Sequence, residues 1–178
     1  NSNIIYLKKE LERIKILFKK KKFNLVIQKS KTLLKKNPNQ VIIYNYIGLS
    51  HIQLNEFENA LKIFLSANQK LPSDPSILCN IGIVYKNLDD VSNARNYFNK
   101  AININPRHLP SHINLGHLEN NLNNSEKASD YYLKAYNLNN NSVEVLTYYI
   151  LNLSAQGKFT EEKKIILELN NKFPENTK

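Results

Sequence analysis

Three histidines lie within ten residues of one another, and their type and spacing come nearest to those of a metal site. His108, His112 and His117 carry imidazoles, which are good ligands for transition metals. Pro110 separates His108 from the helix that follows, and a five-residue gap places His117 off the face of His112. We therefore predict no metal and no cofactor. Cys79 is expected to be a small buried hydrophobe without a redox role.

Catalytic motifs are equally sparse. The four glycines are scattered, and neither G-x-x-x-x-G-K-[ST] nor G-x-G-x-x-G occurs, so no nucleotide-binding loop is predicted. Acidic residues are isolated or form the turn pair Asp89-Asp90, which fits a helix start better than acid/base catalysis. The single cysteine excludes an internal disulfide framework. We expect the segment to be non-enzymatic.

The elements that position these residues follow a period of 34 residues. Five position types share this period: Pro38, Pro72 and Pro106; Gly48, Gly82 and Gly116; Ala60, Ala94 and Ala128; Phe64, Phe98 and Tyr132; Ala67, Ala101 and Ala135. Asn140 and Pro174 take the next two proline positions. Within residues 75–108, apolar residues recur at helical spacing up to Asp89 and again up to Asn105, which predicts an antiparallel helix pair.

This pattern resembles the tetratricopeptide repeat, which runs from a bulky residue through Leu-Gly and Tyr to Ala, Phe, Ala and Pro. The matches are Tyr44, Ile47, Gly48, Ala60, Phe64, Ala67 and Pro72; Leu78, Ile81, Gly82, Tyr85, Ala94, Phe98, Ala101 and Pro106; and His112, Leu115, Gly116, Ala128, Tyr132 and Ala135. The resemblance implies an all-α, right-handed superhelical solenoid of about five helix pairs in a single domain, residues 1–178. The expected repeats are 7–40 (degenerate and basic), 41–74, 75–108, 109–142 and 143–176 (degenerate).

The resemblance also implies a concave groove lined by the first helix of each repeat, and hence a scaffold that binds a peptide or a partner protein. The candidate groove residues, on faces expected to point away from the second helices, are Tyr46, Gln53, Asn80, Lys86, Asn87, Asn114, His117, Asn120, Asn121 and Tyr148. Asn80 and Asn114 resemble the asparagine ladder of the glycosyltransferase that adds N-acetylglucosamine to proteins, where amides grip a peptide backbone. The basic clamp of the chaperone-binding subtype is missing, because its positions hold Asn45, Leu49, Asn80, Pro110 and Asn114.

The formal net charge of +10 belongs to one end of the chain. Residues 1–40 hold twelve Lys and Arg against two acids, whereas residues 41–178 hold thirteen of each sign. The basic end patch is Lys15, Lys19, Lys20, Lys21 and Lys22. It is compatible with a solvated cap, with docking of an acidic partner segment or another domain of the same chain, or with an anionic membrane surface or nucleic acid. We do not expect nucleic acid, because no aromatic residues are interleaved with the Lys run.

Two expectations concern the whole protein. The chain begins with Asn1 and its last repeat ends at Pro174 without a further capping helix, which favours a fragment. The alternative function is therefore an accessory domain that presents the acceptor protein to a larger enzyme such as a glycosyltransferase or sulfotransferase. Because the sequence has no apolar run of about 18 residues and no N-terminal signal pattern, we expect a cytoplasmic location unless an upstream signal exists.

Overall fold

The computed structural model describes residues 2–139 and 141–172, so Asn140 and Pro174 lie outside the described residues. This part of the chain forms ten α-helices and no strand, which confirms the all-α prediction. The helices are α1 (Ser2–Lys19), α2 (Phe23–Lys36), α3 (Val41–Gln53), α4 (Phe57–Lys70), α5 (Pro75–Asn87), α6 (Val91–Ile104), α7 (Leu109–Asn121), α8 (Ser125–Leu138), α9 (Val143–Ala155) and α10 (Phe159–Lys172). Within the described ranges, none of them is both long and apolar enough to cross a bilayer.

The helices divide by contact into two compact units, Asn1–Lys100 and Ala101–Lys178, here called the N-terminal and C-terminal units. In the N-terminal unit α2 packs on α3 and α3 on α4. The first helices of successive pairs are also in contact, α1 with α3 and α3 with α5. In the C-terminal unit α7 packs on α8, α8 on α9 and α9 on α10. Each unit thus consists of consecutive helix pairs that contact their neighbours in sequence.

Glycine sets the distance between the two helices of a pair. A Cβ on Gly82 would lie 2.6 Å from Cε1 of Phe98, and one on Gly116 would lie 2.5 Å from Cε1 of Tyr132. Both distances are shorter than side-chain packing allows, so the aromatic ring of the second helix occupies the volume that a side chain on the first would need. Phe98 and Tyr132 are accordingly buried.

The turn inside each pair has a recurring backbone conformation. A residue with positive φ follows α1, α3, α5, α7 and α9, and these residues are 34 positions apart: Lys21 (56°), Asn55 (59°), Asp89 (58°), Asn123 (60°) and Gly157 (69°). The left-handed region suits Gly, and Asn or Asp tolerate it better than other residues. The turn reverses the chain and places the first helices of the N-terminal unit side by side.

Side-chain caps mark helix starts, as at α5 and α9. Asp74 Oδ1 accepts from the N–H groups of Ser76 (2.9 Å) and Ile77 (3.0 Å), and Pro75 occupies the first helical position of α5. Ser142 Oγ accepts from the N–H of Val145 at 3.4 Å at the start of α9. Proline costs little at a first helical position, because that N–H has no partner within the helix.

Candidate functional site

In the N-terminal unit, an amide pair joins two neighbouring first helices. Asn80 Nδ2 on α5 donates to Asn45 Oδ1 on α3 at 2.8 Å. Both side chains are half-buried. The hydrogen bond uses one donor hydrogen of Asn80 and one acceptor lone pair of Asn45, out of the two donors and two lone pairs that each amide carries. This pair places polar, partly accessible groups at the boundary between α3 and α5.

Tyr46 continues the same face toward α1. Its ring centroid lies 5.7 Å from that of Phe18, and the ring is half-buried against the cluster built around Ile14 and Val26. Burial raises the pKa of Tyr46, while the Lys15 ammonium acts in the opposite direction. The Lys15 ammonium itself lies 3.4 Å from Glu12 Oε1. Lys15 therefore acts electrostatically on Tyr46 from the neighbouring helix.

The other candidates of this unit lie near the ends of their helices. Gln53 is the last residue of α3, and its side chain is exposed. Asn87 ends α5, is exposed, and donates from Nδ2 to the carbonyl of Ile83 one turn earlier at 2.8 Å. Lys86 is half-buried, and desolvation lowers the pKa of its ammonium group.

The C-terminal unit has an aromatic cluster in which His117 departs from the prediction. His117 was expected to point away from the second helix, but its Nδ1 lies 2.9 Å from Tyr132 Oη on α8. Its ring also contacts Tyr148 of α9 edge to face, with centroids 4.3 Å apart. Tyr132 was expected only as a packing residue; its phenol reaches past Gly116 because that glycine leaves the space. Burial, followed by the neighbouring Tyr148, raises the pKa of Tyr132 to about 12, so the hydroxyl remains protonated at neutral pH.

The asparagines of α7 differ in their contacts. Asn114 is half-buried and donates to the carbonyl of Pro110 at 2.9 Å, within its own helix. Asn120 is exposed and accepts from Asn152 Nδ2 on α9 at 3.4 Å. Asn121, the last residue of α7, is exposed. Tyr148 Oη donates to Glu144 Oε1 at 3.0 Å.

A buried polar network beneath Asn120 was not predicted from the sequence. Asn152 is 3% exposed and accepts a hydrogen bond from Ser129 Oγ, while Gln156 Nε2 donates to Ser129 Oγ (2.7 Å) and to Asn152 Oδ1 (2.8 Å). Asn152 occupies the repeat position that holds Ser50 in the second repeat and Val84 in the third. A large polar residue at this position was the sequence signal that could have indicated the network. Asn45 was missed as a partner of Asn80 because the two are 35 residues apart, one more than the period.

The three histidines are directed at different partners. His108 Nδ1 lies 2.8 Å from Ser111 Oγ, and His112 Nε2 lies 2.9 Å from the carbonyl of Pro106. In residues 2–139 and 141–172, no group of three His, Cys, Asp or Glu side chains is arranged to hold a metal ion. Cys79 is 2% exposed, as expected for a small core residue.

The basic end patch lies on α1 and the turn after it. Lys15 and Lys19 belong to α1, whereas Lys20, Lys21 and Lys22 form the connection to α2. All five side chains are exposed. Lys22 directly precedes α2, and Lys21 is the residue with positive φ.

Comparison with known proteins agrees with this architecture. The family model of the Tetratricopeptide repeat matches residues 75–108 and 109–142. Residues 75–142 are therefore two consecutive tetratricopeptide repeats. A search of curated proteins finds no match to this sequence.

Solved tetratricopeptide-repeat structures have the same fold at low sequence identity. The thermophilic repeat protein TTC0263 of Thermus thermophilus is 16% identical with a TM-score of 0.79, over 96% of this chain and 93% of its own. PilF of Pseudomonas aeruginosa is 13% identical with a TM-score of 0.77, over 93% of this chain and 75% of its own. The first repeat domain of Spaghetti (RPAP3), bound to an HSP90 peptide, is 17% identical with a TM-score of 0.59, over 65% of this chain and 92% of its own. These likenesses show the fold, a series of antiparallel helix pairs.

Proposed function

We propose that the N-terminal unit binds an extended segment of another protein along the first helices α1, α3 and α5. The Asn45–Asn80 hydrogen bond carries this proposal. An amide pair at a helix boundary offers its remaining donors and acceptors together, and the backbone of an extended peptide presents N–H and C=O groups that pair with both. Such contacts hold the peptide main chain, so they place few demands on its sequence.

The neighbours of the amide pair suit a peptide that runs from α5 toward α1. Tyr46 offers a half-buried ring beside Asn45, and a ring with a polar tip is a frequent anchor in protein interfaces. At the ends of the helices Gln53 and Asn87 add exposed amides, and the partly desolvated Lys86 adds a cation. We therefore assign the main-chain contacts to Asn45 and Asn80, and a side-chain pocket to Tyr46.

The C-terminal unit contributes a face of different chemistry. Tyr148, held edge to face by His117, and the exposed Asn120 and Asn121 combine an aromatic surface with amides. We propose that this face contacts apolar side chains of a partner, since its rings are already fixed by mutual packing and lose little side-chain entropy on binding.

Peptide binding by this fold has a direct precedent. The RPAP3 repeat domain, which is similar to this chain in fold, is bound to an HSP90 peptide. The chaperone-type clamp is not proposed here, because Leu49 and Pro110 stand at two of its positions and neither side chain can bind a carboxylate.

The test uses an immobilised array of unrelated, unstructured peptides probed with the full chain. We expect Asn45→Ala/Asn80→Ala to weaken binding to all bound peptides by roughly tenfold, as the loss of two or three backbone hydrogen bonds would do. Both residues are half-buried and bonded to each other, so the free energy of unfolding should fall by only about 1 kcal/mol.

Asn96→Ala/Asn103→Ala is the matched control, because it removes two exposed amides from α6, the second helix of its pair. It should leave the array unchanged. Absence of peptide binding by the unaltered chain, or equal losses in the two double variants, would refute the proposal.

A further inference from the structure

The first helix α1 carries charged residues on a face that the later first helices bury. The third, fourth and seventh positions of the later repeats are buried throughout: Ile43, Tyr44 and Ile47; Ile77, Leu78 and Ile81; Ser111, His112 and Leu115; Val145, Leu146 and Tyr149. In α3 this face packs against α2, where Ile43 and Ile47 share a core cluster with Val26. In α1 the same positions hold Lys9, Glu10 and Arg13. This face of α1 therefore occupies the position at which later first helices pack, but its side chains are charged.

Beside this face, α1 and α2 enclose a cleft of about 340 Å³, here called the end cleft. It is lined by Tyr6, Glu10, Gln28, Lys29, Thr32, Leu33 and Lys36. Leu33 is 4% exposed and forms an apolar floor, while Tyr6 is 50% exposed. The Lys36 ammonium lies 5.9 Å from the centroid of the Tyr6 ring. The end cleft therefore combines an apolar floor at Leu33 with polar and cationic edges.

The end cleft is positively charged, and the carboxylate of Glu10 does not neutralise its two lysines. Glu10 is the one carboxylate among the lining residues, and it forms a salt bridge with Arg13. Lys29 and Lys36 are both exposed and are seven residues apart on α2, so their ammonium groups lie along one side of that helix. They belong to the forty residues that carry the whole net charge of the chain. A ligand with carboxylates would be attracted to this site and oriented by it.

We propose that the end cleft binds an acidic segment of another protein, with one large apolar side chain seated between Tyr6 and Leu33 and flanking carboxylates paired with Lys29 and Lys36. The Leu33 floor and the Tyr6 ring offer contact to one apolar group, and the two lysines favour negative charge on either side of it. A polyanion without an apolar group, such as a phosphate backbone, would leave the floor unfilled, and nucleic acid would find only the single ring of Tyr6 for stacking. None of the lining residues of the end cleft is among Asn45, Tyr46 and Asn80, to which the proposed peptide contacts are assigned.

The experiment measures fluorescence anisotropy of a labelled peptide of about ten glutamates with one central phenylalanine, titrated with the full chain. We expect saturable binding that weakens between about 50 and 200 mM salt, because the contacts are partly ionic. The same peptide with serine in place of phenylalanine should bind at least about fivefold more weakly, since a buried aromatic side chain contributes a sizeable part of the contact. Tyr6→Ala should abolish that difference between the two peptides.

Lys29→Glu/Lys36→Glu should weaken binding of the phenylalanine peptide by roughly tenfold or more. The control is Lys62→Glu/Lys70→Glu, which makes the same change of charge at two exposed positions of α4, one of them 34 residues after Lys36. It should change binding less than about threefold. All four lysines are exposed, so circular dichroism and melting temperature should be preserved.

Four outcomes would overturn the proposal: no binding of the phenylalanine peptide, no advantage of phenylalanine over serine, equal losses in the two double variants, or tighter binding of single-stranded DNA or anionic vesicles of matched charge. Because the Asn45→Ala/Asn80→Ala variant leaves the end cleft intact, it should bind the acidic peptide normally. Loss of binding at the end cleft is thereby distinguished from loss of peptide binding at Asn45 and Asn80.

Discussion

The first and second repeats fill the space between their two helices from opposite sides. In the second repeat the first helix contributes Gly48, and ring atoms of Phe64 on the second helix occupy the place of a Cβ. In the first repeat the equivalent positions hold Ile14 and Ser30, and both are buried. The bulky side chain has moved from the second helix to the first. The fold therefore requires a volume at this contact rather than a particular pair of residues.

The fifth repeat adds a third arrangement. Ile150 and Ile166 occupy the positions of Gly48 and Phe64, and both are only half-buried. Two aliphatic side chains of equal size replace one ring and one hydrogen atom. The glycine is thus needed where an aromatic residue faces it, and the end repeats dispense with both.

The largest effect should come from transplanting the first-repeat pair into the second repeat. Gly48→Ile alone should destabilise the chain by about 3 kcal/mol, because the new side chain meets the Phe64 ring. Phe64→Ser alone should cost about 4 kcal/mol through the cavity it leaves. The double variant, which reproduces Ile14 and Ser30, should be more stable than the sum predicts by roughly 2 kcal/mol in urea unfolding.

Ser66→Ile serves as the control for this cycle, since Ser66 lies on the same helix as Phe64 and is exposed. It should change stability by less than about 0.5 kcal/mol. Strict additivity of Gly48→Ile and Phe64→Ser would show that the two end-repeat residues do not substitute for the glycine and ring of the middle repeats.

The turns inside the helix pairs separate the first repeat from the others in a second way. The residue with positive φ is Asn55, Asp89, Asn123 or Gly157 in the later repeats, but Lys21 in the first. The long lysine side chain cannot form the short hydrogen bond to the local backbone by which Asn and Asp offset the strain of this conformation. Lys21→Gly should therefore raise the free energy of unfolding by about 1 kcal/mol, and Lys21→Asn by somewhat less.

Lys20→Gly controls for the removal of a charge from the four-lysine run, because Lys20 belongs to the same turn and is not among the residues with positive φ. It should stabilise less than Lys21→Gly in the same thermal and urea measurements. Equal gains would attribute the effect to charge repulsion instead of backbone strain.

The sequence is sufficient to predict the fold because its signals recur. Gly82 and Phe98 are linked by a spacing that two other repeats share, and the pair is found in contact. The positive-φ residues share the same period, but their residue types differ, so the sequence shows no repeated residue at this position. Their equivalence appears only when the backbone is known.

Side-chain partners are harder to predict from a period. Asn80 was considered with Asn114 at the same repeat position, yet its hydrogen bond to Asn45 joins different positions of adjacent repeats. His117 occupies a first-helix position expected to face outward, but a tyrosine hydroxyl on the second helix draws it inward. Such choices depend on which hydrogen-bonding group lies within about 3 Å after packing, and one sequence does not contain that distance.

The smallest predicted effect compares the acidic residues that precede α4 and α6. Asp90 accepts from the Asn93 N–H at 3.0 Å and so caps its helix, whereas Glu56 turns to His51 Nδ1, 2.5 Å away, and to Asn59. Hydrogen bonds from His51 and then Asn59 lower the pKa of Glu56.

A carboxyl whose folded pKa is lowered stabilises the fold above its unfolded pKa, and this contribution is lost as the pH falls through the folded pKa. The melting temperature should therefore fall less steeply below about pH 5 in Glu56→Gln than in the unaltered chain, with the neighbouring exposed Glu58→Gln as control. Parallel acid profiles for all three proteins would show that His51 is held by packing and not by this carboxylate.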